Sequence, residues 1–149
     1  MAKYLLDTNI LLRGSDPDSS SHLLAIKAVS NLLKSGHDCY ITSQVLIEFW
    51  VVATRPIEVN GLGWSVKQTS DEVNQLINRF SWIEETSEIF FYWHNLANTY
   101  NIKGKRTHDI RLIAVMKTQK LTHLLTFNPD DFIKIPDIQI IHPNEIVNI

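Results

Sequence analysis

One cysteine, Cys39, is all the thiol chemistry this chain of 149 residues possesses. An internal disulfide and a cysteine-built zinc site are therefore excluded. The lone Cys fits a reducing compartment and, lying in an apolar run, reads as core. No glycine-rich phosphate loop is present, since Gly61-Leu62-Gly63 follows no strand and lacks a following Gly-Lys pair. The six histidines are scattered, with no pair at the i,i+4 spacing of a metal-binding helix. No hydrophobic run approaches transmembrane length, and Met1-Ala2-Lys3-Tyr4 does not open a signal peptide. The expected setting is the cytoplasm, away from membranes. Neither repeat, low-complexity tract nor linker divides the chain, so one domain over 1–149 is expected. At 44% hydrophobic and 20% charged, the composition is that of a globule with a real core.

Acidic residues stand where such a chain should be greasy. Asp7 closes the apolar run Tyr4-Leu5-Leu6, Glu48 interrupts Val45-Leu46-Ile47 and Phe49-Trp50-Val51-Val52, and Asp109 precedes Ile110 to Met116. An isolated ionised carboxylate in such surroundings costs several kcal/mol or more, or else protonates. Several gathered at one place are most simply tolerated by a divalent cation.

Net charge is −2, which argues against indiscriminate binding of nucleic acid. Its distribution says more. Lys103, Lys105, Arg106, Arg111, Lys117 and Lys120 form nearly half of the 14 basic residues, with Asp109 the only acid among them. A basic surface beside an acidic pocket suits a phosphodiester substrate. The alternative is a solvated helix face with no partner.

Strands are expected at Lys3 to Leu6, Cys39 to Thr42, His123 to Phe127 and Ile138 to Ile141, with a short extended piece over Ser81 to Glu84. Between them, Leu23, Leu24, Ala28, Leu32 and Leu33 recur at helical spacing after Ser19-Ser20-Ser21, and Gly36 should stop that helix. Ser43 is the expected N-cap of a helix ending before Pro56. Further helices are read over Asp71 to Phe80, over Glu88 to Tyr100, and from Thr107 or His108 onward. Alternation of strand and helix favours a parallel sheet covered on both faces, an α/β sandwich. Ligands of such sheets bind beyond the carboxyl ends of the strands, where Asp7, Glu48, Asp109 and the Asn128, Asp130, Asp131 segment would meet.

Each candidate has a plainer reading beside the functional one. Asp7-Thr8-Asn9 is a metal ligand with two positioning groups, or a turn bonding its own backbone. Glu48 is a site residue, or the partner of a buried base such as Arg55. Asp109 is a ligand, or a first-turn acid on a helix dipole. Asn128 or Asp131 completes the pocket, or the segment is a strand-ending turn. His108, beside Asp109, is expected in an outer shell, and Lys105, Arg106 and Arg111 are candidate substrate contacts. The four tryptophans and Phe90-Phe91 read as core or dimer interface rather than base-stacking platforms.

Taken in order, Leu5-Leu6-Asp7-Thr8-Asn9-Ile10-Leu11-Leu12, then Thr42-Ser43 and Glu48, then Thr107-His108-Asp109 with Ile113-Ala114, then Leu125-Thr126-Phe127-Asn128 through Asp131-Phe132, the chain resembles the PIN-domain ribonucleases. Among these it looks most like the VapC-type toxins of bacterial toxin–antitoxin pairs. Ala53-Thr54-Arg55-Pro56 with Asn60-Gly61-Leu62-Gly63 also looks like a connection of a VapC-like subgroup. The resemblance implies a three-layer α/β/α sandwich with a mainly parallel central sheet. It further implies Mg²⁺ or Mn²⁺, endonucleolytic cleavage of RNA, a homodimer, and a small antitoxin that inhibits the site. Asp7, Glu48 and Asp109 fall on the three acidic positions of the family. Asn128 stands where many members carry Asp, with Asp131 three residues on.

Such a pocket would support metal-assisted hydrolysis of a phosphodiester, with Glu48 or Asp109 orienting or deprotonating the attacking water. Thr8, Asn9 and Asn128 would position ligands. Two rivals stand against it. An aspartyl phosphotransfer domain would want a second acid at residue 9, which is Asn. A PIN-like module that binds RNA or protein without cutting is the other.

Overall fold

The computed structural model describes residues 1–148. Five strands, β1 (Lys3–Leu6), β2 (Asp38–Ile41), β3 (Ser81–Trp82), β4 (His123–Leu125) and β5 (Gln139–Ile141), form one sheet in the order β3-β2-β1-β4-β5. Every pairing is parallel. Leu5, Leu6, Ile41, Leu124 and Leu125 are fully buried, as expected of strands covered on both faces.

The helices are α1 (Thr8–Ser15), α2 (His22–Lys34), α3 (Ser43–Thr54), α4 (Val66–Arg79), α5 (Glu88–Thr99), α6 (Arg106–Gln119) and α7 (Pro143–Val147). α5 packs on α6, while α1, α2, α3, α4 and α7 are linked by mutual contacts. The result is the three-layer α/β/α sandwich. Among the described residues no helix is long and apolar enough to cross a membrane.

The chain leaves β1 to build β2 and β3 on one side, then returns to lay β4 on the other. The reversal of strand order therefore falls at β1 and β4. Crevices form where successive connections part in this way, so a ligand is expected at the carboxyl ends of these two strands.

Several boundaries differ from the sequence-based expectation for identifiable reasons. α1 is a helix in a stretch where no helix was expected. Asp7 caps it, and its Ile10 and Leu11 are buried. α2 presents Ala25, Ala28 and Leu32 to the core while Leu23 is 70% exposed, so the buried stripe is rotated from the expected one. It ends as expected at Gly36, whose φ of +85° lets the Gly36 and His37 amides return to the Leu33 and Leu32 carbonyls. The cap of α3 is Thr42, not Ser43, because the Thr42 hydroxyl accepts from the Val45 amide at 3.2 Å. α4 starts at Val66 rather than near Asp71. Ser65 caps it through the Gln68 amide, and its polar first turn gives no hydrophobic period to detect. α7 was not expected; a capping box of His142 and Glu145 opens it.

The loop after α3 folds back onto the helix it leaves. The amides of Leu62, Gly63 and Trp64 bond the Val52, Arg55 and Ala53 carbonyls, which would otherwise be orphaned at the end of α3. A side chain at Gly61 would collide with the Arg55 carbonyl, so this close return requires glycine. Trp64 then packs edge-on against buried Phe49. The helix bearing Glu48 is thereby pinned at its far end.

Candidate active site

β1 and β4 run side by side with Leu6 opposite Leu125. The next residue on each, Asp7 and Thr126, emerges where the strands end. Thr126 is fully buried and its hydroxyl donates to Asp7 Oδ2 at 2.8 Å. The Thr126 hydroxyl oxygen itself accepts from Asn9 Nδ2 at 3.2 Å and from the Asn128 amide at 3.1 Å. Asp7 Oδ1 accepts from the Thr8 amide at 2.7 Å. Asn9 Oδ1 in turn accepts from the Phe127 amide at 3.1 Å. α1 is thus stitched to the segment after β4, and the Asp7 carboxylate is held by neutral donors alone.

A second network reaches Asp7's neighbour. Thr8 donates to Glu48 Oε2 at 2.7 Å, and Gln44, one turn earlier on α3, donates to Glu48 Oε1 at 3.1 Å. Gln44 Nε2 also reaches the His108 carbonyl at 2.9 Å, tying α3 to the start of α6. Trp93 Nε1 donates to the Thr107 carbonyl at 2.9 Å and holds that start from α5. Asp109 sits in the first turn of α6, half-buried.

Burial is the largest cause pushing the Asp7 carboxyl up to about 6; the Thr126 and Thr8 hydrogen bonds pull it down, and Glu48 and Asp109 push it further up. Asp109 is also raised, first by burial, then by Asp131 and Glu48, with His108 and Lys105 opposing. Asp7 therefore feels the charge of Glu48 and Asp109, and Asp109 feels that of Asp131 and Glu48. The two ion pairs among the described residues, Lys67–Asp71 and Arg111–Glu85, involve none of them.

Asp131 lines a small recess with Asp109 and Arg106. The Asn128 side chain is exposed and caps nothing; its amide, not its carboxamide, touches the network. Lys105, Arg106 and His108 are exposed at the start of α6. Arg111 departs from the expectation of a free substrate contact. Glu85 grips it through two hydrogen bonds at 3.0 and 3.1 Å, and Gln44 Oε1 accepts a third at 2.8 Å. Arg55 does not neutralise Glu48, whose carboxylate is taken up by Thr8 and Gln44.

Thr126 and Gln44 are not among the residues singled out from the sequence. The signal for Thr126 was a polar residue closing the apolar pair Leu124-Leu125, as Asp7 closes Leu5-Leu6. For Gln44 it was the i−4 position before Glu48 on one helix face.

The donor set is all oxygen and, among the described residues, no salt bridge closes on it, which fits a hard divalent cation. As the side chains stand, no three His, Cys, Asp or Glu residues among those described lie close enough together to ligate one ion.

A parallel sheet carrying uncompensated acids at the crest of β1 and the adjoining helices is the arrangement of a PIN domain. The PIN domain family model matches residues 4–138, and the chain belongs to that family. Among curated proteins, none matches it in sequence. Solved structures of similar fold include VapBC2 from Rickettsia felis bound to a DNA fragment from the promoter, with 20% identity, TM-score 0.67, and coverage of 94% of this chain and 98% of that one. VapBC-1 from nontypeable Haemophilus influenzae is similar at 17% identity and TM-score 0.69, covering 95% and 98%. VapC20 from Mycobacterium tuberculosis, described as a toxin cleaving the sarcin-ricin loop, is similar at 16% identity and TM-score 0.60, covering 89% and 98%.

Proposed function

We propose that this chain is a divalent-metal-dependent endoribonuclease and the toxin of a toxin–antitoxin pair. The observation that carries the reading is electrostatic. Asp7, Glu48 and Asp109 come from three separate elements, act on one another, and have no Lys or Arg paired with them. The fold is shared with VapC20, whose described activity is RNA cleavage, and with structures of toxin–antitoxin complexes.

Asp7, Glu48 and Asp109 would hold Mg²⁺ or Mn²⁺, with Asp131 rather than the Asn128 side chain beside Asp109. When bound, the ion supplies Lewis acidity and neutralises charge developing on the phosphoryl oxygens. Thr8 and Thr126 keep Asp7 oriented through their donors, and Gln44 does so for Glu48. Asp109, half-buried and close to Lys105, is placed to orient or deprotonate the attacking water. Lys105 and Arg106, exposed on the flank, attract the phosphate chain. Asp7 suits a ligand anchor better than a phosphotransfer nucleophile, because it is buried with both oxygens engaged.

An antitoxin partner belongs to the same reading. An open apolar groove of about 240 Å³, lined by Ile10, Leu11, Ala25, Ile26, Leu33 and Leu76, shares α1 with the acidic site and fits the apolar face of a small protein. A homodimer is part of it too, with exposed Ile47, Val51 and Trp82, or Phe90 and Phe91, available to a second copy. The buried lone Cys39 accords with the cytoplasm.

Incubating purified protein with RNA and Mg²⁺ or Mn²⁺ tests the assignment. Cleavage by the wild type, reduced at least about a hundredfold in Asp7→Ala and in Asp109→Ala, is expected, equivalent to about 3 kcal/mol of transition-state stabilisation. Full activity in both variants overturns it. RNA that is bound but left intact would favour the binding-only reading, which draws on the spread of the carboxylates.

A further inference from the structure

Arg13 is a cation that the acidic site and its basic flank leave unused. It stands in the last turn of α1, one turn beyond Asn9 on the same helix face. Its guanidinium carbon lies over the Phe127 ring, 4.3 Å from the centroid, within cation–π range. Phe127 adjoins Thr126, and Asn9 holds its amide. One face of α1 therefore tracks the segment after β4, with Asn9 at Thr126 and Arg13 at Phe127. His142 meets the same ring edge-on at 5.6 Å, and the His22 ring bonds the Arg13 carbonyl at 2.9 Å. Backbone and ring are both fixed in place.

Among the described residues Arg13 pairs with no carboxylate. A helix C-terminus favours a cation, and that accounts for a positive charge here. It does not account for a guanidinium set over a ring that borders the active-site threonine. Arg111 makes the contrast: its donors are taken by Glu85 and Gln44. Arg13 is held by a contact with its π face, and among the described residues its N–H fork has no partner.

We propose that Arg13 binds a backbone phosphate of the RNA strand, one nucleotide or more removed from the phosphate that is cut. The inference rests on the RNA-cleaving function proposed for the acidic site. A planar fork already oriented by an aromatic ring suits paired phosphate oxygens and loses little freedom on binding. Arg13 lies six positions beyond Asp7, the cap of α1, or about 9 Å along the axis, so a neighbouring phosphate is addressed, not the scissile one. Lys105 and Arg106 on α6 and Arg13 on α1 then hold the strand at separate points.

The experiment measures binding of a labelled single-stranded oligoribonucleotide by fluorescence anisotropy in EDTA, over a range of salt, for wild type, Arg13→Gln and Arg13→Lys. Loss of one phosphate contact in Arg13→Gln should weaken affinity roughly fivefold to tenfold at low salt and reduce the log–log salt slope by about 0.7. Arg13→Lys should keep the slope but bind less tightly, because it lacks the fork. In cleavage assays the loss in Arg13→Gln should fall on KM rather than kcat. Unchanged affinity and slope in Arg13→Gln overturn the inference while leaving the nuclease intact, and so does a fall in thermal stability alone. A wild type that neither binds nor cuts RNA overturns the nuclease reading itself.

Discussion

Glu85 and Asp7 are acids of the same molecule under opposite conditions. Glu85, between β3 and α5, receives two hydrogen bonds from Arg111, and these hold its carboxyl below the usual range despite partial burial. Asp7 is more deeply buried, has only a hydroxyl and an amide as donors, and is pushed up to about 6. The molecule does not lack arginine near this rim; it commits one to Glu85. What separates the two regions is whether a cationic side chain pairs with the acid. The two acids differ in both burial and partners: Asp7 is the deeper and pairs with no cation among the described residues, whereas Glu85 is shallower and has Arg111.

The largest effect should be on the pH dependence of stability without divalent ions. Asp7 is raised from its ordinary 3.8 to about 6, so below 6 the folded chain holds a proton the unfolded chain has released. Stability therefore rises as pH falls through 6 toward about 4, and the ionisation penalty, bounded at about 3 kcal/mol, is complete above 6. Asp109, also raised, acts in the same sense. Glu85 acts in the opposite one: its stabilisation is complete above its unfolded value and is lost as pH falls through the lower folded value. Urea unfolding of wild type and Asp7→Asn over this range separates them. The variant should be the more stable at neutral pH and show a flatter profile. An Asp7→Asn protein no more stable than wild type at neutral pH would break the contrast.

A smaller effect should come from the ion itself. Mn²⁺ at ten times its dissociation constant should stabilise the wild type by about 1.4 kcal/mol. Asp7→Ala should lose that response while Glu85→Gln keeps it, as thermal shifts would record. Equal responses in both variants would place the cation elsewhere.

The smallest should be the loss of the internal pair. Glu85→Gln is expected to cost about 1 kcal/mol or less, because Arg111 and Glu85 keep some solvent access and screening weakens the pair. A cost several times larger in urea midpoints would mean that the pair also anchors Gln44 and, through it, Glu48.

Asp7, Glu48 and Asp109 stand out as candidates because a carboxylate inside an apolar run is conspicuous in one dimension, and alternation of strands with helical periods carried the parallel sheet. Thr126 was not legible. A threonine ending a strand is ordinary until the strand 119 residues away is seen to deliver Asp7 opposite it. The grip of Glu85 on Arg111 spans 26 residues and leaves no mark on either neighbourhood, so Arg111 read as free. α1 was missed because Ile10-Leu11-Leu12 is too short a run to separate a helix from an extended continuation of β1. Thr42 and Ser43 are both able caps, and only the geometry of the Val45 amide distinguishes them.

The strands at the two margins of the sheet, β3 with two residues and β5 with three, have a consequence for assembly. Margins this brief offer an incoming polypeptide scarcely any ladder to extend, which discourages fibrillar growth and leaves β-augmentation without a template. The helical layers, met side chain to side chain, offer an associating protein far more surface than these margins do.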